Sequence, residues 1–200
     1  MTTILGFIAF ALLACSCSSP SAASVRSPAL PPIISTPNPD SPFGERSSDG
    51  PEHLRQFAFV IGDWDVDVTV HGENAQSMSY KAKWHNIWIV DGMAVFQEWR
   101  GPYVTGAEIR TYDPKSDSWP GYNYYPGGKD VNLYATTSFW NEKKHEMVVT
   151  SRKMTARGER VTRELYYDIT ENSFSIRSEI SHDDGKTWER GPFSLTAVRL

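Results

Sequence analysis

A glycine, one spacer and a tryptophan open a strictly alternating run: Gly62-Asp63-Trp64, then Asp65-Val66-Asp67-Val68-Thr69-Val70. Trp64, Val66, Val68 and Val70 fall on one side of an extended chain, and Asp65, Asp67 and Thr69 on the other. One face must meet a core and the other water, the pattern of a half-buried antiparallel strand. A chain that starts this way needs an architecture with an interior.

The rest of the chain repeats the theme. Strand-like segments are expected over residues 64–71, 77–90, 93–100, 103–112, 118–125, 131–140, 145–154, 160–169, 174–181 and 194–199. Between them stand turn signals such as Asp91-Gly92, Gly101-Pro102, Asp113-Pro114, Pro126-Gly127-Gly128 and Asp183-Asp184-Gly185. No link is long enough for a crossover helix, so parallel pairing is excluded. A meander of this length leaves two sticky edges unless it closes on itself. The predicted fold is therefore all-β: a closed antiparallel up-and-down barrel of about 8–10 strands. A two-sheet sandwich is the alternative. Ahead of the first strand, residues 51–60 read as a short helix, with Pro51 suited to its first turn and Glu52 to its dipole. Leu54, Phe57 and Ala58 are its expected inward residues, plugging one end of the barrel.

Composition divides the chain. The first 50 residues hold two basic (Arg26, Arg46) and three acidic residues (Asp40, Glu45, Asp49), and all seven Trp and nine Tyr follow them. The folded domain is thus expected over residues 51–200, a length that suits one core. The net charge of −4 provides no basic field for nucleic acid. Residues 4–14 are an apolar run, too short to span a membrane at about 20 residues but fitting the core of an export signal. It ends in Leu12-Leu13-Ala14-Cys15-Ser16, which resembles a bacterial lipobox. Residues 1–17 are accordingly read as a signal peptide with Cys15 as the lipidation site. An ordinary secretory signal cut near Ala23 is the alternative. Residues 18–50, rich in Pro and Ser, read as a disordered tether. The expected location is the bacterial envelope: lipid-anchored on the periplasmic side of the outer membrane, or periplasmic or secreted. Cys15 and Cys17 are the only cysteines, so disulfides, thiol nucleophiles and thiolate metal sites are excluded from the domain.

Gly62-x-Trp64 after a short helix, the meander, and Arg199 near the end together resemble the lipocalin, or calycin, superfamily. The layout is most similar to a bacterial lipocalin-like domain family of unknown function. The further motifs that carry the resemblance are Trp84-His85-Asn86-Ile87-Trp88-Ile89-Val90-Asp91-Gly92, Phe96-Gln97-Glu98-Trp99, Arg110-Thr111-Tyr112-Asp113 and the late Asp-Gly-Lys-Thr-Trp hairpin. The resemblance implies a barrel, a tryptophan on its floor crossed by a late arginine, and a small apolar ligand. It implies no established activity.

Several residues are candidates for a site. Trp84, His85, Trp88, Tyr122, Tyr124 and Tyr134 make an aromatic set on neighbouring strands, either a ligand-binding lining or an interlocked core. Glu98 has two readings. If Gln97 and Trp99 face inward it is solvated; if Phe96 faces inward it is a buried carboxylate with Arg110 as partner, and a weak catalytic candidate. Gly62, Trp64 and Arg199 are read as structural. The five histidines (53, 71, 85, 145, 182) show no metal-ligand spacing, so no metal and no cofactor are expected. A haem held by His85 is the minor alternative. Ser181-x-Asp183-x-Gly185-x-Thr187-Trp188 resembles the Asp-box of sialidase propellers, and a single copy reads as a turn device. The functional expectation is an exported barrel binding a small apolar molecule. The alternatives are a metal-independent isomerase, hydratase or decarboxylase on the same barrel, and an envelope scaffold without ligand. Oligomeric state is not legible.

Overall fold

The computed structural model describes residues 39–72, 76–127, 130–156 and 158–200, with backbone alone at 127 and 130–132. The signal peptide, the lipidation site Cys15 and the tether up to residue 38 lie outside the described residues.

Ten strands follow one helix in chain order: β1 (Gly62–His71), β2 (Ser77–Ile89), β3 (Ala94–Arg100), β4 (Thr105–Thr111), β5 (Trp119–Gly127), β6 (Asp130–Asn141), β7 (Glu146–Thr155), β8 (Gly158–Tyr167), β9 (Ser173–Ser181) and β10 (Glu189–Arg199). Each pairs antiparallel with its chain neighbour, and β10 returns to pair with β1, so the barrel is closed. The all-β up-and-down barrel read from the sequence is the fold observed. Closure satisfies the edge groups that a ten-strand open meander would expose.

Alternation places the sides as the first strand announced. Trp64, Val66 and Val68 are buried on β1, while Asp65 and Asp67 stay outside, where Lys83 and Lys81 pair with them. β2 runs straight through Asn86, with Ala82, Trp84, Asn86 and Trp88 all buried on one side. Asn86 stays in phase because its Nδ2 donates to the Val60 carbonyl at 2.8 Å, which makes a polar residue acceptable on the floor. The next turn is wider than the two-residue Asp91-Gly92 hairpin expected. Ile89 pairs with Ala94, and Val90, Asp91 and Gly92 all take positive φ.

The helix is a 3₁₀ helix, Glu52–Val60. Its three-residue period stacks Leu54, Phe57 and Val60 on one buried face, so Val60 takes the place expected of Ala58, which is exposed. Phe57 meets Trp119 edge-on at 4.8 Å, and Trp119 donates its indole hydrogen to Gln56. Ordered chain begins ahead of Pro51: the Phe43 carbonyl accepts from Trp88 N at 2.8 Å, and Ser47 N donates to the Gly92 carbonyl at 3.2 Å. Residues 39–50 therefore lie against the β2–β3 turn at the helix end of the barrel.

The floor is clamped by Arg199. Its guanidinium lies 4.1 Å from the centroid of the Trp64 ring, and its nitrogens donate to the carbonyls of Ile61 (2.6 Å), Glu171 (2.8 Å) and Phe59 (3.4 Å). Trp64 donates to the Val60 carbonyl at 2.7 Å. Gly62 has φ +128°, and a Cβ there would stand 2.3 Å from Arg199 Nη1. Backbone conformation and contact both demand glycine. Gly62→Ala is expected to cost about 2–4 kcal/mol, read as a lowered thermal midpoint. Arg199→Lys is expected to recover little, because a lysine cannot spread over the ring and reach three carbonyls at once.

Candidate functional site

The closed half of the barrel is filled by its own rings. Trp64, Trp84, Tyr166 and Phe174 pack with centroid separations from 4.8 to 6.4 Å, and Phe59 joins them from the helix. Above this floor the inward positions change character, and differently on the two sides. On β9, β10, β1 and β2 they are mostly apolar, with Ile176, Leu195, Val68 and Ala82 and a buried Ser178 among them. On β3 to β6 they are polar, and register sets them side by side: Gln97 opposite Glu108, Glu108 opposite Asn123, Asn123 opposite Tyr134. Glu164 enters from β8, opposite Val149. The lumen thus has an apolar wall facing a polar one.

Arg110 is the centre of the polar wall, only 1% exposed. It is ion-paired with Glu108, two residues back on the same strand face, and donates to Ser138 Oγ at 3.1 Å. Its Cζ lies 5.0 Å from the Phe57 ring centroid. Burial opposes its charge, and Glu108, with Tyr166 and Glu164 adding, more than offsets that, leaving its pKa raised. Tyr125 donates to Glu108 Oε1 at 3.0 Å and stacks on Tyr134 at 6.0 Å. Burial and then Glu108 push the Tyr125 phenol up. Burial and then Glu164 push Tyr134 up to about 12. Both phenols are neutral hydrogen-bonding groups at any physiological pH.

Glu164 has no ion-pair partner among the described residues. Burial first, then Glu108, raises its carboxyl to about 8, with Arg110 acting the other way. Yet Glu164 keeps part of its surface accessible, and Tyr134 is 38% exposed. Glu164 is therefore surrounded by protein on most sides and meets solvent on the rest. On the β3 to β6 wall several buried polar atoms have no partner among the described groups: both amide atoms of Gln97, Arg110 Nε, Asn123 Oδ1 and Thr136 Oγ1. Buried polar groups are nearly always paired. This wall offers donors and acceptors together.

The residues singled out from sequence divide between the two faces. Trp84 is inward but belongs to the floor, T-shaped against Trp99 at 5.5 Å, and Trp88 is packed at the closed end. Arg110 and Tyr134 are in the lumen. Tyr122 and Tyr124 are exposed on the outer face. His85 is outside as well, held to Asp63 by a 2.6 Å bond at Nδ1, so its ring does not reach a lumen ligand, haem included. Gln97 is fully buried, which settles the two readings of Glu98: it is the outward one, paired with Arg100. The partner of Arg110 is Glu108. Glu108, Asn123 and Glu164 carried no signal beyond alternation on β4, β5 and β8. Following Arg110 two residues back would have found Glu108.

On the outside, a cleft of about 310 Å³ runs past Asp63, His85, Glu98 and Arg100. These side chains are exposed and satisfy one another. The Asp-box segment is a hairpin held by its own side chains. Asp183 accepts from Thr187 Oγ1 at 2.6 Å and Thr187 N at 2.9 Å, which holds its carboxyl well below the usual range. Trp188 covers Arg163 at 3.8 Å on the outer wall.

No protein-family model matches the chain, and no curated protein matches it. Among solved structures it is similar to the S-type phycobiliprotein lyase CPES from Guillardia theta, at 14% identity over 74% of this chain and 91% of that one, with a TM-score of 0.48.

The raised Glu164 pKa fixes a sign for stability against pH. The folded protein holds this proton more tightly than the unfolded chain, whose carboxyl titrates near 4.5. The contribution to stability is complete below about 4.5 and lost as pH rises through about 8. Glu164→Gln is expected to flatten this stretch of the stability profile and to be more stable than the parent at alkaline pH, by chemical denaturation at several pH values.

Proposed function

We propose that this chain is an exported lipocalin-like protein that holds a small amphipathic molecule in the barrel lumen. The reading rests on one observation: a largely apolar wall faces a polar wall on which both amide atoms of Gln97, Asn123 Oδ1, Thr136 Oγ1 and Arg110 Nε have no described partner. Leaving such groups buried and unbonded costs about 1–3 kcal/mol each. A ligand hydroxyl or carbonyl that pairs them removes that cost, while its apolar body gains ~25 cal/mol per Å² against Ile176, Leu195 and Val68. The largely apolar ligand expected from sequence, oriented by one or two polar groups, meets both walls, and its polar end is part of the proposal. Membership of the bacterial lipocalin-like family, export, and attachment through Cys15 to the periplasmic side of the outer membrane complete the reading, supported by the motifs and the lipobox-like segment.

Glu164 supports a second reading, an acid–base isomerase or hydratase on the same barrel. Its carboxyl titrates at about 8 and lines the same space. It takes the place that Glu98 held as acid candidate.

Native mass spectrometry of protein purified from the producing cell is expected to show a co-retained small molecule. Gln97→Leu combined with Thr136→Val, which removes side-chain atoms that no described partner uses, is expected to weaken that retention roughly 10-fold or more with the fold intact. Interiors consistently empty of organic molecules would overturn the binding reading. Solvent deuterium appearing in the retained molecule, and ceasing in Glu164→Gln, would select the second reading. Cys15→Ala is expected to abolish labelling by radioactive fatty acid and to release the protein from membranes.

A further inference from the structure

The outer face of β4 to β6, with Phe96 of β3 at its edge, differs from the walls that carry ion pairs. On those walls outward side chains pair: Lys81 with Asp67, Lys83 with Asp65, Arg163 with Glu179, Arg152 with Glu159, and Arg100 with Glu98. Over β4 to β6 no described outward side chain carries a charge. In their place stand Leu133 (61% exposed), Tyr122 (56%), Phe139 (45%), Ile109 (43%) and Tyr124 (41%). Register makes the patch contiguous. Phe96 lies opposite Ile109, Ile109 opposite Tyr122, Ala107 opposite Tyr124, and Tyr124 opposite Leu133. An apolar surface of this extent on a closed barrel marks an interaction site.

We propose that this wall is the contact surface of a two-fold homodimer. Three observations favour a second copy as the occupant. Identical faces meet across a two-fold axis, and a face without charge does so with no like-charge repulsion. A membrane-binding face, by contrast, carries Lys and Arg around its apolar centre, and none of the described outward side chains of β4 to β6 is basic. Three strands at about 4.8 Å spacing, followed along their outward residues and joined by Phe96 at the edge of β3, present on the order of 600 Å² per copy. Twice that is the lower end of specific interfaces, so the dimer is expected to form in the micromolar range.

The third observation is mechanical. The patch straddles the shortest ladder described: β4 and β5 share four register pairs, against ten for β1 and β2 and nine for β5 and β6. Pro120 and Pro126 remove two N–H donors from β5, and Gly121 adds no side chain to pack. A second copy laid over Ile109, Tyr122 and Tyr124 braces this seam from outside. The same two strands carry Glu108, Arg110 and Asn123 on their inner face, so dimerisation stiffens the polar wall of the lumen.

Sedimentation velocity of the purified protein over a micromolar concentration series reads the association directly. Twice the chain mass is expected at the top of the series and the single-chain mass at the bottom. Tyr122→Lys with Leu133→Lys is expected to stay at the single-chain mass throughout, with the parent's far-ultraviolet spectrum. Hydrogen exchange over residues 105–111 and 119–127 is expected to slow as the parent's concentration rises. A parent that stays at single-chain mass across the series overturns the proposal, whatever the variants do. So does a lysine variant that dimerises as the parent does, or a monomeric parent that instead floats with anionic vesicles. Retention of a small molecule is measured separately, so failure of the dimer leaves the lumen reading intact.

Discussion

Everything in this barrel depends on its last strand returning to its first, and one arginine completes that return. Arg199 sits on β10, covers Trp64 on β1, and gathers carbonyls from the helix exit and from the β8–β9 turn. Three separate stretches of chain are thereby fixed against one ring. Around that point the floor packs solid, with Trp64, Tyr166, Phe174 and Phe59 meeting largely edge-on. A floor this rigid carries the apolar burden of the core, which frees the upper inward positions to be polar.

That division explains why the polar positions of the lumen gather mainly on one side. β9, β10, β1 and β2 largely continue the apolar phase of the floor upward, whereas β3 to β6 switch to Gln97, Glu108, Arg110 and Asn123, and β8 adds Glu164. The Glu108–Arg110 pair keeps the wall near neutral, and Glu164 stays protonated beside it through most of the physiological range. An interior of this kind is electrically quiet and rich in hydrogen-bonding groups. It suits a ligand recognised by shape and by one polar end.

The architecture was legible because alternation and turn chemistry are local. Asp65 and Asp67 against Val66 and Val68 fixed the facing of β1, and short links forced the meander. The site was much less legible, for a definite reason. On a strand, face assignment has two solutions, and an error of one residue exchanges inside and outside. Tyr122 and Tyr124 read as lining because they are aromatic, yet Asn123 between them is the residue that points in. On β3 the signal was balanced, since Phe96 and Gln97 reverse the usual expectation of which should be buried. Partners across the lumen, such as Glu164 and Arg110, are far apart in sequence and leave no spacing to read.

The route of the chain onto the barrel fixes which end is free. Residues 43–47 bond to the turn between β2 and β3, beside the plugging helix, so the described polypeptide arrives at the sealed base. The helix and the incoming residues 43–47 thus share one end of the barrel, and the turns that join β3 to β4 and β9 to β10 stand at the other.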